Sequence, residues 1–529
     1  MPFNSLKFLF VFLPAAILLY GVCLRVVPAK AKICLTAISV VFYISFSTRQ
    51  ALTFLLPSVA LNFWAARLLA GLADRPKLQT KWLTAFVSVN ILALVYFKYT
   101  LWALEFAAPS SVAHNFAATI IAPLGVSFVT LIQIGYLVEV KQGTAKVVDF
   151  FGYCVCAFCF CHVISGPIIH IGEIYPQLPD DNGAQLRWNE IVVGSSWFVM
   201  GLFKKVVIAD SITPWADYAF GHPREVSALG ASLGVITFAM QIYFDFSGYS
   251  DMALGLGRMF GLRYPFNFNS PFQAASIIDY WSRWHMSLTR YITAFLYNPM
   301  SAAASRKRAA QGKPIGKRGA KTISGFAQMI AVPTLVTMTI VGVWHGAGMP
   351  FLIFGVLHGV YLALNNAWRI FNRREWFITK VISYRPVSVA ITFVAALFGF
   401  LFWRAASASD AFAMLSSVCG AHGLIGAPAD GATLLSVIPA SVVRLAPALR
   451  VLGAMPVTVT VLALLPIVWF MPNTQEILGQ SDVKSEYVGY APQWLTWRPA
   501  ASWAWILGGA LAVAISLIGR TSNFVYFKI

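Results

Sequence analysis

The sequence predicts an all-α polytopic membrane protein, and three observations predict it. Apolar windows long enough to cross a bilayer recur along most of the chain. Hydrophobic residues make up 58% of the chain and charged residues 11%, where soluble domains run nearer about 25% charged. Lys and Arg gather in the short connections between windows, as cytoplasmic loops require. A spanning helix needs ~20 apolar residues, and about eleven windows meet or approach that length. They lie near 6–24, 33–47, 51–72, 82–104, 116–138, 150–171, 191–203 (short), 228–246, 326–343, 350–371 and 386–403. Two more, near 452–471 and 502–519, bring the expectation to about eleven to thirteen helices. The first window carries weak charge (Lys7) and no small-residue cleavage site, so it reads as a retained helix.

The formal net charge is +19. A nucleic-acid partner would account for that sum, but the positions of the charges argue against one. Basic connections fall at 25–32 (Arg25, Lys30, Lys32), 75–81 (Arg75, Lys77, Lys81) and 141–146 (Lys141, Lys146). The connections between them, 105–115 and 172–190, are neutral or acidic. The alternation predicts an extracytoplasmic N-terminus, and it holds through Lys204 and Lys205. A run of cations without acids (Arg306, Lys307, Arg308, Lys313, Lys317, Arg318, Lys321) is expected on the cytoplasmic side. Membrane lipids are the expected partner of these charges, and no nucleic acid is.

Residues 1–104 read as four spans joined by short turns. In 121–139, Ser127, Thr130, Gln133 and Glu139 interrupt an apolar run. Such groups need partners in lipid, so this helix is expected to face protein. Cys154, Cys156, Cys159 and Cys161 lie in one apolar window. Zinc motifs pair cysteines on turns with a distant second pair, so these are expected to pack as small hydrophobes and to hold no metal. Gly166 and Pro167 mark a helix break, and His170 follows it.

The stretch 241–298 is the most unusual. Asp245 and Asp251 sit in an apolar, aromatic setting. G-L-G-R-M-F-G mimics a nucleotide loop, but no strand precedes it. The following segment carries Asp279, Arg283, His285 and Arg290 among aromatic residues. It is too polar to span lipid alone and suits a helix that lies at the interface or dips into the protein. Arg283 and Arg290 fit either headgroup anchoring or donor binding. Further on, V-G-V-W-H-G-A-G-M-P places His345, after Trp344, at a cluster of Gly346, Gly348 and Pro350 that breaks or restarts a helix. An ionisable residue at such a break is a site candidate, and His is the side chain suited to moving a proton near neutral pH. His358 follows on the next helix.

With these residues in view, the chain resembles the membrane-bound O-acyltransferase (MBOAT) family, in particular its bacterial alginate O-acetylation branch. The matching motifs are collinear: P-L-G-V-S-F-V-T at 123–130, S-G-P-I-I-H-I-G-E-I-Y-P-Q-L at 165–178, and Y-F-D-F-S-G-Y-S-D-M-A-L-G at 243–255. R-Y-P-F-N-F-N-S-P at 263–271, W-S-R-W-H-M-S-L at 281–288 and V-W-H-G-A at 343–347 follow. L-F-W-R-A-A-S-A-S-D-A-F-A-M-L at 401–415 and M-P-N-T-Q-E-I-L-G at 471–479 complete the set. The resemblance implies a helical bundle with re-entrant or interfacial helices around a central tunnel, forming one membrane-embedded domain over 1–529. Within it, 1–104 are N-terminal helices, 116–371 the catalytic core and 386–529 C-terminal helices.

The resemblance also implies that His345 is the catalytic histidine and His285 its second signature residue. Asp245, Asp279, Arg283, Trp344 and His358 are read as supports around them. The expected reaction moves an acyl group, acetyl in the first instance, from a cytoplasmic thioester donor such as acetyl-CoA to hydroxyls of an extracytoplasmic polysaccharide. The donor is a co-substrate, and no permanently bound cofactor is expected. An extracytoplasmic acyl-acceptor or polymer-modifying protein is the expected partner, and the inner (cytoplasmic) membrane the expected location. D-alanyl transfer to a cell-wall polymer is the alternative within the class. A transporter or flippase is the alternative outside it, since intramembrane Asp, Arg and His would serve a carrier too; the collinear motifs and lack of a visible repeat count against it. The chain departs from the alginate branch after His285, with Thr293 to Tyr297 followed by Asn298, Pro299 and an Ala/Ser-rich basic loop, which leaves the acceptor polymer open.

Overall fold

The computed structural model describes residues 2–107, 122–179, 186–372, 384–424, 457–478, 491–520 and 524–525. Among them the structure is helical, and its one β pairing is an isolated antiparallel bridge between Phe268 and Trp284. Among the described residues, eight helices are long and apolar enough to cross a membrane. They are α1 (Phe8–Val26), α2 (Thr48–Gly71), α3 (Pro76–Thr100), α4 (Trp188–Gly221), α5 (Ala228–Met259), α6 (Ile323–His345), α7 (Met349–Phe371) and α8 (Arg385–Arg404). Two shorter apolar helices are Val459–Phe470 and Ala501–Leu517. The chain is a polytopic all-α membrane protein.

Three apolar windows give shorter helices than hydropathy alone suggests. The window 33–47 becomes Ala31–Ile44, which stops before Ser47 caps α2 by accepting the Gln50 N–H. The window 116–138 gives Val126–Gln142, and its first residues lie outside the described chain. The window 150–171 gives only Phe150–Phe158, started by the Asp149 carboxylate on the Gly152 N–H at 2.8 Å. The non-helical backbone that follows, Cys159 to Ile169, is buried throughout. Irregular backbone survives at such depth because protein, not lipid, surrounds it. Conversely, the short window near 191–203 runs on to Gly221 through a π-turn at Lys204–Ala209. Lys205 does not end the span because its charge is matched inside the protein, as described below.

The described residues group into two compact units. The first takes residues up to Leu202, Tyr249–Phe266 and Arg498–Ile518. Its polar residues find the partners that lipid would deny them. Asn62 and Asn90 exchange amide hydrogen bonds of 3.1 and 2.8 Å, and Ser58 and Asn62 both donate to Gln133 Oε1. Glu139 pairs with His170. The four clustered cysteines are buried. The helix ends at Phe158, so Cys154 and Cys156 are helical while Cys159 and Cys161 lie on the turn beyond it.

The second unit takes Phe203–Gly248, Asn267–Trp497 and Gly519–Ile529, and it contains every residue singled out as a site candidate. Its basic run forms the helices Asn298–Ala310 and Gly316–Ala320. Arg308 is the buried member, donating to Pro314 O, Ser324 Oγ and Gln328 Oε1. The other six cations are exposed. The connection after α8 begins with the helix Ala408–Val418; residues 425–456 lie outside the described chain.

Candidate active site

His285 sits where a helix would otherwise run. Ile277–Trp281 ends, Met286–Ile292 begins, and His285 between them adopts a left-handed backbone with φ 45°. For a residue with a Cβ that conformation costs ~1–2 kcal/mol. A clasp between two motifs holds it there. Asn269 N–H donates to Arg283 O and Met286 N–H to Asn267 O, each at 2.9 Å. The Asn267 side-chain oxygen accepts both the Ser287 hydroxyl at 2.6 Å and its N–H at 3.3 Å. Each such bond contributes about 0.5–1.5 kcal/mol net, so together they outweigh the backbone cost. Asn473 extends the clasp, donating to Asn269 Oδ1 and Ser270 Oγ at 3.0 and 2.9 Å. Asn473 is itself fixed by reciprocal bonds with Glu476 at the start of Thr474–Leu478, a capping box.

The segment therefore dips into the protein, one of the two placements its polarity allowed. The His285 ring is fully enclosed. Phe246 of α5 stands edge-on to it with centroids 4.8 Å apart, and the Trp344 indole lies 6.5 Å away.

His345 is the last residue of α6. Gly348, with φ 113°, occupies a backbone region that side chains avoid and starts α7 in the return direction, with Pro350 in its first turn. The two helices pack closely because Gly342 and Gly355 face each other. A Cβ on Gly342 would come within 2.3 Å of Phe351 O and 2.7 Å of Gly355 Cα. The resulting hairpin fixes the position of His345, which is 5% exposed. Its ring neighbours are Trp344 at 5.0 Å, Phe354 of α7 at 5.9 Å and Trp403 of α8 at 6.2 Å.

The structure thus brings His285, Trp344 and His345 together, both imidazoles neighbouring one indole. The other candidates stand further out. His358 packs on the Phe354 ring with centroids 4.7 Å apart, and the same ring lies 5.9 Å from His345. Asp279 and Arg283 pair with each other at 2.7 Å across one helical turn. Arg283 also donates to Asn269 O, and Asp279 accepts the Ala275 N–H, so the pair braces the dipping segment. Asp245 is next to Phe246 in sequence, but its carboxylate meets Lys205 at 2.6 Å, and Lys205 meets Asp210 at 2.8 Å.

Sequence reading did not single out Asn267, Phe246 or Asp210, and took Lys205 only as a topology marker. A signal for Asn267 was present: asparagines alternate with phenylalanines at 266–269 in a segment that is neither helix nor ordinary loop. Nothing local announces Lys205 as the partner of Asp245.

Spanning helices that end or break at enclosed histidines define an integral membrane protein with a buried candidate site, and known proteins narrow the class. No family model matches the chain. It is 32% identical over 451 residues to the peptidoglycan O-acetyltransferase of Helicobacter pylori, covering 80% of each chain. It is 32% identical over 427 residues to the probable alginate O-acetylase AlgI of Azotobacter vinelandii, covering 79% of this chain and 78% of that one. A teichoic acid D-alanyltransferase of Bacillus subtilis is 26% identical over 349 residues, covering 64% of this chain and 82% of its own. The chain belongs to the membrane-bound O-acyltransferase family and is an O-acyltransferase.

Proposed function

We propose that this enzyme takes an acetyl group from a cytoplasmic thioester, acetyl-CoA in the simplest case, and delivers it to hydroxyls of an extracytoplasmic polysaccharide or cell-wall polymer, through a partner protein where one is present. The observation that supports this reading is that His345 and His285 both neighbour the Trp344 indole, with ring centroids 5.0 and 6.5 Å from it. An alcohol has a pKa far above neutral and needs a base as it attacks. A ring nitrogen of His345 takes the hydroxyl proton while the oxygen bonds to the thioester carbon. General-base help of this kind contributes ~10²–10⁴-fold. His345 becomes an imidazolium at the end of α6, where unpaired carbonyls stabilise positive charge. The carbonyl oxygen gains negative charge in the same step, and the His285 N–H is the donor that stabilises it. The C–S bond then breaks, and the imidazolium returns its proton to the departing thiolate. Bonds and protons balance with no further reactant.

Acetyl is favoured over D-alanyl because the relatives at 32% identity are named as O-acetyltransferases, while the D-alanyltransferase stands at 26%. The exposed cations of 306–321 support a cytoplasmic donor side, and a cytoplasmic donor in turn supports an inner-membrane enzyme. The test uses purified protein in sealed vesicles, with labelled acetyl-CoA on one side and polymer on the other. Label is expected in the polymer only when the donor faces the basic helices. Equal transfer with donor on the opposite side would defeat this reading.

A further inference from the structure

We propose that Phe524 and Val525 form a positioning element for His285, an inference that rests on the reading of His285 as part of the transfer site. Asp245 and Phe246 are consecutive on α5, and each is engaged from 280 residues away in the chain or nearly so. Asp245 is 1% exposed and uses both carboxylate oxygens. Oδ1 meets the Lys205 ammonium at 2.6 Å, and Oδ2 accepts the Val525 N–H at 2.9 Å. Phe524, itself buried, packs on Phe246 with ring centroids 5.9 Å apart. The same Phe246 ring stands edge-on to His285, with centroids 4.8 Å apart.

Two parallel lines of contact result. One runs from Phe524 through Phe246 to His285. The other runs from Val525 through Asp245 to Lys205 and Asp210. Burying such charges is costly, at several kcal/mol per ion before pairing. The Val525 N–H gives the second Asp245 oxygen the charge-assisted bond that desolvation demands. With Asp245 fixed, Phe246 is fixed beside it. In a close-packed interior an enclosed imidazole turns only if its neighbours yield, so the 524–525 segment sets the His285 ring.

The test uses the full chain with Phe524→Ala, Phe524→Leu and Val525→Pro, the last removing the N–H. Two quantities are read in each. One is carbethoxylation of His285 by diethyl pyrocarbonate, measured by mass spectrometry with His358 as a buried control in the same molecule. The other is the separate kcat and donor KM for acetyl transfer. Phe524→Ala and Val525→Pro are expected to make His285 reactive while His358 stays protected, and to lower kcat with donor KM unchanged. Phe524→Leu, which keeps an apolar group against Phe246, should recover most of both. His285 as unreactive as in the parent at unchanged kcat would overturn the proposal. So would His285 and His358 becoming reactive together, which marks general loosening. If the parent moves no acetyl group to any polymer, the functional reading fails, yet the protection of His285 still decides the role of this segment.

Discussion

The indole N–H of Trp281 donates to Nδ1 of His358 across 3.2 Å. This bond makes Nδ1 an acceptor, so the proton of a neutral His358 is on Nε2. Nε2 in turn lies against the backbone of α8, where a Cβ added to Gly399 would stand 2.2 Å from it. Tyr280, Trp281, Phe354 and Tyr361 surround the ring. Both nitrogens therefore face protein. His358 ties the dipping segment 277–281 to α7 and α8 and keeps Phe354 against His345.

It follows that the histidines separate by phenotype. His358→Ala is expected to destabilise the protein by about 3 kcal/mol, the scale of a large-to-small change in a packed interior. The check is thermal unfolding of purified protein in detergent, where a parent-like midpoint would contradict the role given to this ring.

Gly399→Ala approaches the same contact from the other side. A methyl group there collides with a ring held on its opposite edge, and overpacking of this kind costs ~1–3 kcal/mol. Gly508→Ala is the control: nothing lies within 4 Å of its added Cβ, and Ala is the better helix former by up to ~1 kcal/mol. The two variants should shift the unfolding midpoint in opposite directions.

Asn267→Ala should loosen the clasp that keeps His285 left-handed. It leaves the Ser287 hydroxyl and N–H without their acceptor, a loss of about 1–3 kcal/mol. Acyl transfer should fall by more than the folded fraction does, because the ring position changes in the molecules that remain folded. Transfer that simply tracks the folded fraction would assign Asn267 to stability alone.

These residues show what the sequence could and could not disclose. The collinear motifs, the breaks at Gly346 to Pro350 and the need of Gln133 and Glu139 for partners are local patterns, and each has its counterpart in the structure. Asp279 and Arg283 are one turn apart, a spacing that allows their pairing, although the sequence reading gave Arg283 to headgroups or donor. Asp245 was not: its partners are Lys205, on a helix the sequence ends too early, and Val525, 280 residues on. The apolar window 150–171 overstates its helix, Phe150–Phe158, for a related reason. Hydropathy cannot distinguish lipid from protein surroundings, and the run after Phe158 is buried in protein without being helical. The Trp281–His358 bond likewise depends on two segments meeting across 77 residues.

The clustered cysteines provide a fourth prediction. Cys154, Cys156, Cys159 and Cys161 are buried side chains in the first unit, on a helix and the turn after it. Replacing all four with Ala should lower the unfolding midpoint and leave the transfer rate per folded molecule unchanged. Stoichiometric zinc in the parent, lost from this variant, would give the cluster a different role.

The most direct measurement concerns His345. His345→Ala removes a ring from the apex of the α6–α7 hairpin, while the glycine seam at Gly342 and Gly355 that packs these helices remains. The variant should elute as the same monodisperse species as the parent. Labelled acetyl transfer from donor to polymer, measured in vesicles at equal amounts of folded protein, should fall by ~10²-fold or more, the lower end of what a lost general base removes. A folded His345→Ala protein that transfers acetyl at a rate near the parent's would contradict the central claim and place the base elsewhere.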